Sequence, residues 1–198
     1  MLPIVLWRRK MAPKFKFNKE EIINSAIEII RKDGAENLSA RAIAKKIGSS
    51  TKPIFTLFSG MDELNKECLV KANDIYQAFL KKEMESGEFP PYKASGLAYI
   101  KFAIEDKELF KLLFMRDRTK EYKVEDREPI RELLELIMKN LNIDEDTAFL
   151  FHMESWIFVH GIATMFATDY LDWDMNMIQN MLSDMYSGLV YRHTRRQQ

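Results

Sequence analysis

The chain contains 198 residues, of which 46% are hydrophobic and 30% charged, and its formal net charge at pH 7 is zero. A chain of this length and composition can bury a substantial hydrophobic core. A disordered or low-complexity chain is therefore excluded. The single cysteine, Cys68, excludes an internal disulfide framework and a multi-cysteine metal site, and it favours a reducing compartment.

The sequence contains no apolar run of the roughly 18 residues that a membrane-spanning helix requires. The N-terminal apolar run, residues 3–7, is too short for a secretory leader, and its positive charges follow it rather than precede it. We therefore expect a cytoplasmic protein without a membrane partner.

The net charge of zero conceals two oppositely charged parts. Residues 1–60 contain 12 Lys or Arg and five acidic residues, whereas the remainder contains 18 basic and 25 acidic residues. A basic N-terminal third indicates a polyanionic partner. A merely solvated charged surface is the alternative, and the motifs have to decide between the two.

The predicted elements are all helices, and the first has clear end signals. Asn18 and Glu21 form a capping pair, and an apolar stripe then runs to Gly34. This pattern predicts a helix over residues 19–33.

Two short helices follow. Ser39 is a helix cap and Gly48 a helix stop, which predicts a helix of barely two turns between them. We expect Ser50 to cap a third helix over residues 51–57, because Pro53 then falls in the first turn, where its missing N–H costs nothing.

Six longer segments complete the prediction. Ser59 and Asp62 form a cap pair that opens a long helix ending near Ser86. Further helices are predicted over residues 92–105, 108–115, 129–141, 144–168 and 175–192. No alternating strand pattern occurs, so we predict an all-α fold with nine helices.

Residues 38–58 carry the most specific signal. They place two short helices around a glycine turn, continue as Pro53-Ile-Phe and end at Phe58, with Asp62-Glu-Leu64 after them. Such an arrangement inserts a recognition helix into the major groove of DNA. The segment resembles the DNA-binding domain of the TetR family of bacterial transcriptional regulators.

The resemblance implies an organisation in three parts. Residues 1–17 would be a flexible basic arm, 18–64 a three-helix helix-turn-helix domain, and 65–198 a helical ligand-binding and dimerisation domain. Members of the family often carry Tyr where Phe55 or Leu57 stands and Lys where Met61 stands, so those phosphate contacts are absent here.

The candidate DNA-binding residues follow from chemistry and position. A hydroxyl and a cation at the start of the second helix can hold a phosphate, and polar residues at the start of the third can read bases. Lys14, Lys16, Lys45 and Lys46 would add nonspecific attraction. A solvated helix face is the alternative for the lysines. The candidates are Ser39, Arg41, Ser49, Ser50, Thr51, Lys52, Thr56, Lys14 and Lys16.

The second half resembles a C-terminal domain type of this family named for its Trp, His and Gly. The resemblance rests on residues 99–114, Trp156 and His160-Gly161. Trp156 and His160 lie four residues apart and share a helix face. They are interpreted as a pocket wall or as packed core. The candidate ligand-binding residues are Phe102, Phe110, Phe114, Phe151, Trp156 and His160.

No metal or other cofactor is expected. His152 falls on the same stripe as His160, but about 12 Å of helix separates the two imidazoles, which is too far for one ion.

Glycines in the last two helices suggest close crossing of backbones, and the resemblance implies that two subunits meet there. Intramolecular core is the alternative for the accompanying apolar stripe. The candidate interface residues are Gly161, Ile178, Leu182, Met185, Gly188 and Leu189.

These features together predict a homodimeric regulator, with repressor as the favoured sign, that leaves a palindromic operator when a small apolar or aromatic effector binds. A two-fold dimer would place its recognition helices about one helical turn of DNA apart. The fourth helix, running from the DNA-binding domain into the ligand domain, would act as the lever. An enzyme and a helical interaction module without DNA affinity are the rival classes, and we expect no enzymatic activity.

Overall fold

The computed structural model describes residues 17–119 and 127–195 and divides into two compact units, with the boundary between Cys68 and Leu69. This boundary lies four residues after the predicted one. The described residues contain nine α-helices and no strand. The helices are α1 (Lys19–Asp33), α2 (Ala40–Lys46), α3 (Lys52–Leu57), α4 (Met61–Glu85), α5 (Pro91–Glu105), α6 (Lys107–Phe114), α7 (Arg131–Leu141), α8 (Glu145–Ala167) and α9 (Met175–Arg195).

The predicted all-α fold with nine helices is confirmed, and the limits of α1 match the prediction. Asn18 accepts a hydrogen bond from the Glu21 N–H at 2.8 Å, and the Glu21 carboxylate accepts one from the Asn18 N–H at 2.8 Å. Gly34 ends α1 with a positive φ of 86°. The stripe between these ends packs into the core through Ile22, Ala26, Ile27, Ile29 and Ile30.

The turn between α2 and α3 is built as predicted at one end and differently at the other. The Ser39 hydroxyl accepts a hydrogen bond from the Ala42 N–H, and Gly48 has a φ of +62°. The predicted Ser50 cap is wrong, because α3 begins at Lys52 and Thr51 is the N-cap residue, without a side-chain hydrogen bond. Pro53 therefore occupies the second helical position.

The start of α4 also differs from the prediction. The Ser59 N–H donates to the Glu63 carboxylate at 2.7 Å, so the reciprocal partner is Glu63 rather than Asp62. The same carboxylate binds the Lys19 ammonium at 2.7 Å, which joins α1 to α4. These hydrogen bonds stabilise the charged form and lower the pKa of Glu63 to about 2.

The second unit packs mainly around α8, which contacts α5, α6, α7 and α9. Asn142 adopts the left-handed conformation that ends α7, and Asp144 caps α8 by accepting from the Thr147 N–H at 2.8 Å. A core cluster beneath this corner consists of Leu134, Ile137, Ile143, Ala148 and Phe151. A short 3₁₀ turn, Glu128–Ile130, precedes α7 at the predicted Pro129 start. In the described part of the chain, every helix is too short or too polar to span a bilayer.

Candidate DNA-binding and effector sites

The side chains predicted to contact DNA lie mostly on the surface of the first unit. Lys14 and Lys16 lie outside the described residues. The exposed candidates are Ser39, Arg41, Ser50, Lys52 and Thr56, and the partly buried ones are Ser49 and Thr51. The Ser39 hydroxyl already accepts from the backbone of α2, so the oxygen is held at the helix N-terminus.

Helix α3 has a buried face and an exposed face. Ile54 and Phe58 are fully buried, whereas the neighbouring Phe55 is 53% exposed. The Thr56 hydroxyl donates to the Lys52 carbonyl at 2.8 Å, which leaves its lone pairs available to a donor outside the helix. Phe55 was not among the predicted contacts, although an exposed ring on this face can contact thymine methyl groups.

Some of the lysine and arginine side chains of the first unit form ion pairs within the unit, and others do not. Lys19 binds Glu63, and Lys46 binds Glu28 at 2.7 Å, so both ammonium groups are already neutralised within the unit. Arg41 and Lys52 make no ion pair with a described residue. These two side chains, together with the exposed Lys45 on α2, therefore carry positive charge that is not paired with a described residue.

The second unit contains a cavity of about 310 Å³. This is close to the lower limit of typical small-molecule sites. Its walls come from α4, α5, α7, α8 and α9, and they combine aromatic rings with aliphatic and small polar side chains. The aromatic lining residues are Tyr76, Tyr92, Tyr99, His152, Trp156 and Tyr186.

Of the six predicted ligand residues, Trp156 lies in the cavity wall and the other five do not. Phe102, Phe110 and Phe151 are completely buried in the core. Phe114 packs against Tyr76 and Tyr99, with ring centroids 5.1 and 4.9 Å apart. These phenylalanines therefore support the tyrosines behind the wall, because apolar rings without a polar group favour the fully buried side of each helix.

Trp156 and His160 share a face as predicted. Their rings stack with centroids 5.0 Å apart and an interplanar angle of 16°. The Tyr99 hydroxyl and His160 Nδ1 form a hydrogen bond of 2.9 Å. Burial lowers the pKa of His160 and raises that of Tyr99, so both groups are neutral at pH 7.

The cavity contains polar groups that were not among the predicted ligand-binding residues. The Tyr92 hydroxyl and His152 Nδ1 form a hydrogen bond of 3.1 Å, and the Lys93 ammonium donates to the Ser183 hydroxyl at 2.9 Å. Burial lowers the pKa of His152 to about 4. Burial also raises the pKa of Tyr92. Lys93 is the only Lys or Arg, and no Asp or Glu occurs, among the described residues that line the cavity.

The predicted interface residues on α9 divide between two faces. Ile178 and Leu182 are buried within the protomer, Met185 lines the cavity, and Leu189 packs on the core cluster around Phe151. Ile178 and Leu182 therefore belong to the core of the subunit, which corrects their assignment to a dimer interface, whereas Met185 and Leu189 remain partly exposed. Consecutive helical residues are about 100° apart, so Gly188 lies on a different face from Leu189.

The glycines lie on open faces rather than at a crossing within the chain. A Cβ atom added at Gly161 or at Gly188 would meet no described atom within 4 Å. On α8, Leu150, Ile157 and Met165 share the helix face of Gly161 and are all exposed. These side chains form an exposed apolar stripe on α8, which is interrupted by Glu154 on the same face, where the carboxylate binds Arg192 and His193.

Residues 92–186 match the sequence model of a protein family that is described as "Tetracyclin repressor-like, C-terminal domain". This range covers most of the second unit, including the Trp156 and His160 pair. The first unit supplies the helix-turn-helix that such regulators use. The chain belongs to the TetR family.

Other relatives of this TetR-family chain agree. It is 18% identical over 91% of its length to YobS of Bacillus subtilis (strain 168), an uncharacterized HTH-type transcriptional regulator of which the match covers 96%. A TetR-like transcriptional regulator from Rhodococcus sp. RHA1 superposes with a TM-score of 0.60 at 15% identity, over 88% of this chain and 93% of the other.

The multidrug binding protein EbrR, solved in complex with imidazole, has the same fold. It superposes with a TM-score of 0.53 at 17% identity, covering 84% of this chain and 88% of EbrR. At these identities the likeness concerns the fold alone. The family membership identifies the chain as a DNA-binding transcriptional regulator.

Proposed function

We propose that this TetR-family regulator acts as a homodimer that inserts α3 into the DNA major groove and leaves a palindromic operator when a small molecule binds. The observation that carries the DNA-binding mode is the two-sided α3, in which Ile54 and Phe58 are buried while Lys52, Phe55 and Thr56 are exposed. Residues 18–64 form the DNA-binding domain in this proposal, and residues 65–198 the ligand and dimerisation domain.

The outer side of α8 supports dimerisation. Exposed apolar patches of this kind mark interaction sites in soluble proteins. Gly161 lies in the middle of the stripe and lets another backbone approach closely. On α9, Met177 and Gly188 are exposed on a second face of similar character. We infer that α8 and α9 of two protomers pack around a two-fold axis, which requires an operator with two inverted half-sites.

The cavity supports a ligand response. EbrR, a relative by fold, was solved with imidazole and binds several drugs according to its name. A ligand in the cavity of the second unit would favour one arrangement of the dimer, with α4 as the lever between the ligand and DNA-binding domains. It would weaken DNA binding through a coupling free energy of about 1–3 kcal/mol. We propose that the protein is a repressor. If a ligand weakens DNA binding, the unliganded protein is the form that occupies the operator.

The test of the DNA-binding mode is a variant carrying Thr51→Ala and Lys52→Ala. An operator is first selected from a random duplex library, and affinity is then measured across salt concentrations. We expect at least a tenfold loss of affinity at constant salt, and a salt slope reduced by about one unit for each lost phosphate contact.

Lys139→Ala is the matched control, because Lys139 is also exposed but lies on α7 of the second unit. We expect this variant to bind DNA with unchanged affinity, and all variants to keep their circular dichroism spectra. Unchanged affinity in the double variant would show that α3 is not the recognition helix. A salt slope near zero in the unmodified protein would favour a helical interaction module instead.

A further inference from the structure

The cavity of the second unit has an unusual balance of charge. Lys93 lies in its wall, and no Asp or Glu is among the described residues that line it. A positively charged ligand would therefore lose its hydration without gaining a carboxylate partner, and it would face a like charge. Attraction to aromatic faces is weaker than the desolvation cost of a buried cation.

Lys93 is placed to bind an anion. Its ammonium group has three N–H donors, and one of them binds the Ser183 hydroxyl at 2.9 Å. The group also lies 4.9 Å from the centre of the Phe89 ring, and it makes no ion pair with a described residue. Lys93 is in the first turn of α5, where Pro90 provides no side-chain cap and the helix dipole also favours negative charge.

A second polar group in the wall has no partner. Ser155 is only 4% exposed, and its hydroxyl makes no hydrogen bond although it lines the cavity. A buried hydroxyl without a partner is unfavourable, so a ligand oxygen or nitrogen that reaches it gains a hydrogen bond that the empty cavity lacks. The Tyr92 hydroxyl nearby is already bound to His152.

The aromatic residues of the cavity wall and the cavity volume limit the shape and size of the ligand. Aromatic rings of Tyr76, Tyr99, Trp156 and Tyr186 surround a space of about 310 Å³, which suits one or two fused rings rather than a large polycycle. We propose, building on the ligand response above, that the effector is a flat aromatic carboxylate. Its carboxylate binds Lys93, and a polar substituent or carboxylate oxygen accepts a hydrogen bond from Ser155.

The experiment compares three probes of one shape: 2-naphthoate, neutral 2-naphthamide and cationic 2-naphthylmethylammonium. Their binding to the full chain is measured by calorimetry. We expect 2-naphthoate to bind at least tenfold more tightly than 2-naphthamide, and the ammonium probe to bind more weakly than both. In Lys93→Met, the affinity for 2-naphthoate falls at least tenfold while that for 2-naphthamide changes less than twofold.

Lys82→Met is the control, because Lys82 is exposed on α4 and does not line the cavity. It is expected to bind all three probes like the unmodified chain. Equal or tighter binding of the ammonium probe, an unchanged affinity of Lys93→Met for 2-naphthoate, or no binding of any probe would each overturn the proposal.

DNA binding is measured in parallel with the selected operator. If 2-naphthoate binds but the operator affinity stays constant, the ligand response of the proposed function fails while the assignment of the cavity stands. If 2-naphthoate does not bind but the operator does, the assignment of the cavity fails and the DNA-binding function stands.

Discussion

His152 illustrates how a single buried side chain couples the fold to pH. It lies in the wall of the cavity, bonds to the Tyr92 hydroxyl, and has a pKa lowered to about 4 by burial. In the unfolded chain its pKa returns to about 6.5, so the unfolded state binds more protons between these values. The contribution of neutral His152 to the free energy of unfolding is therefore complete above pH 6.5, and it is lost as the pH falls towards 4. His160, with a pKa also lowered by burial, acts in the same direction.

We expect His152→Gln to reduce the acid sensitivity of the chain. The glutamine can still accept a hydrogen bond from Tyr92 but does not titrate. Between pH 7.5 and pH 5 the unmodified protein should lose about 2 kcal/mol more unfolding free energy than the variant. Urea unfolding at the two pH values measures this difference, and equal losses would show that His152 is not protonated on unfolding.

At the scale of an element, α3 depends on its neighbours. With six residues it is too short to form a stable helix alone. Its N-cap residue makes no side-chain hydrogen bond, so the burial of Ile54 and Phe58 holds it in place. The exposed face of the helix can then be varied without loss of stability, which suits a surface that reads DNA.

Substitutions at two adjacent residues of α3 should separate stability from DNA binding. Ile54→Ala removes a completely buried side chain and should lower the unfolding free energy by about 2–4 kcal/mol. Phe55→Ala alters the exposed face and should change stability by less than about 0.5 kcal/mol while weakening operator binding several-fold. Chemical unfolding and binding to the selected operator are the measurements. A similar loss of stability in both variants would show that Phe55 packs into the fold.

For the whole molecule, the proposed homodimer requires a surface on which two copies pack. The apolar stripe on α8 includes Ile157, which is 62% exposed, at a position one helical turn from Gly161. Placing a charge in the centre of such an interface is costly, because the ammonium would lose its hydration without a partner.

We expect Ile157→Lys to produce a folded monomer with strongly reduced affinity for the palindromic operator. Val70→Lys is the matched control, since Val70 on α4 is 58% exposed and should leave the dimer intact. Sedimentation or light scattering gives the mass of each variant. A dimeric Ile157→Lys would place the interface elsewhere, and loss of the dimer in Val70→Lys would extend it to α4.

Helix ends were predictable because they depend on residues within a few positions of each other. The caps at Asn18 and Ser39 are confirmed. The predictions failed where several adjacent polar residues could serve as caps. A backbone rotation of one residue decides such cases, as at Thr51, and the packed neighbours set that rotation.

The sequence by itself determined the helical fold, the helix-turn-helix and the family, since these follow from local spacing and from a specific motif. The tertiary structure decided the cavity and the faces of α9. The cavity wall draws on five helices that are distant in the sequence, so no local pattern could bring Lys93 and Ser155 together. The periodicity of α9 showed that Ile178, Leu182 and Leu189 share a stripe, but only the packing of the chain shows that Ile178 and Leu182 are buried within one subunit while Leu189 is partly buried against the core cluster.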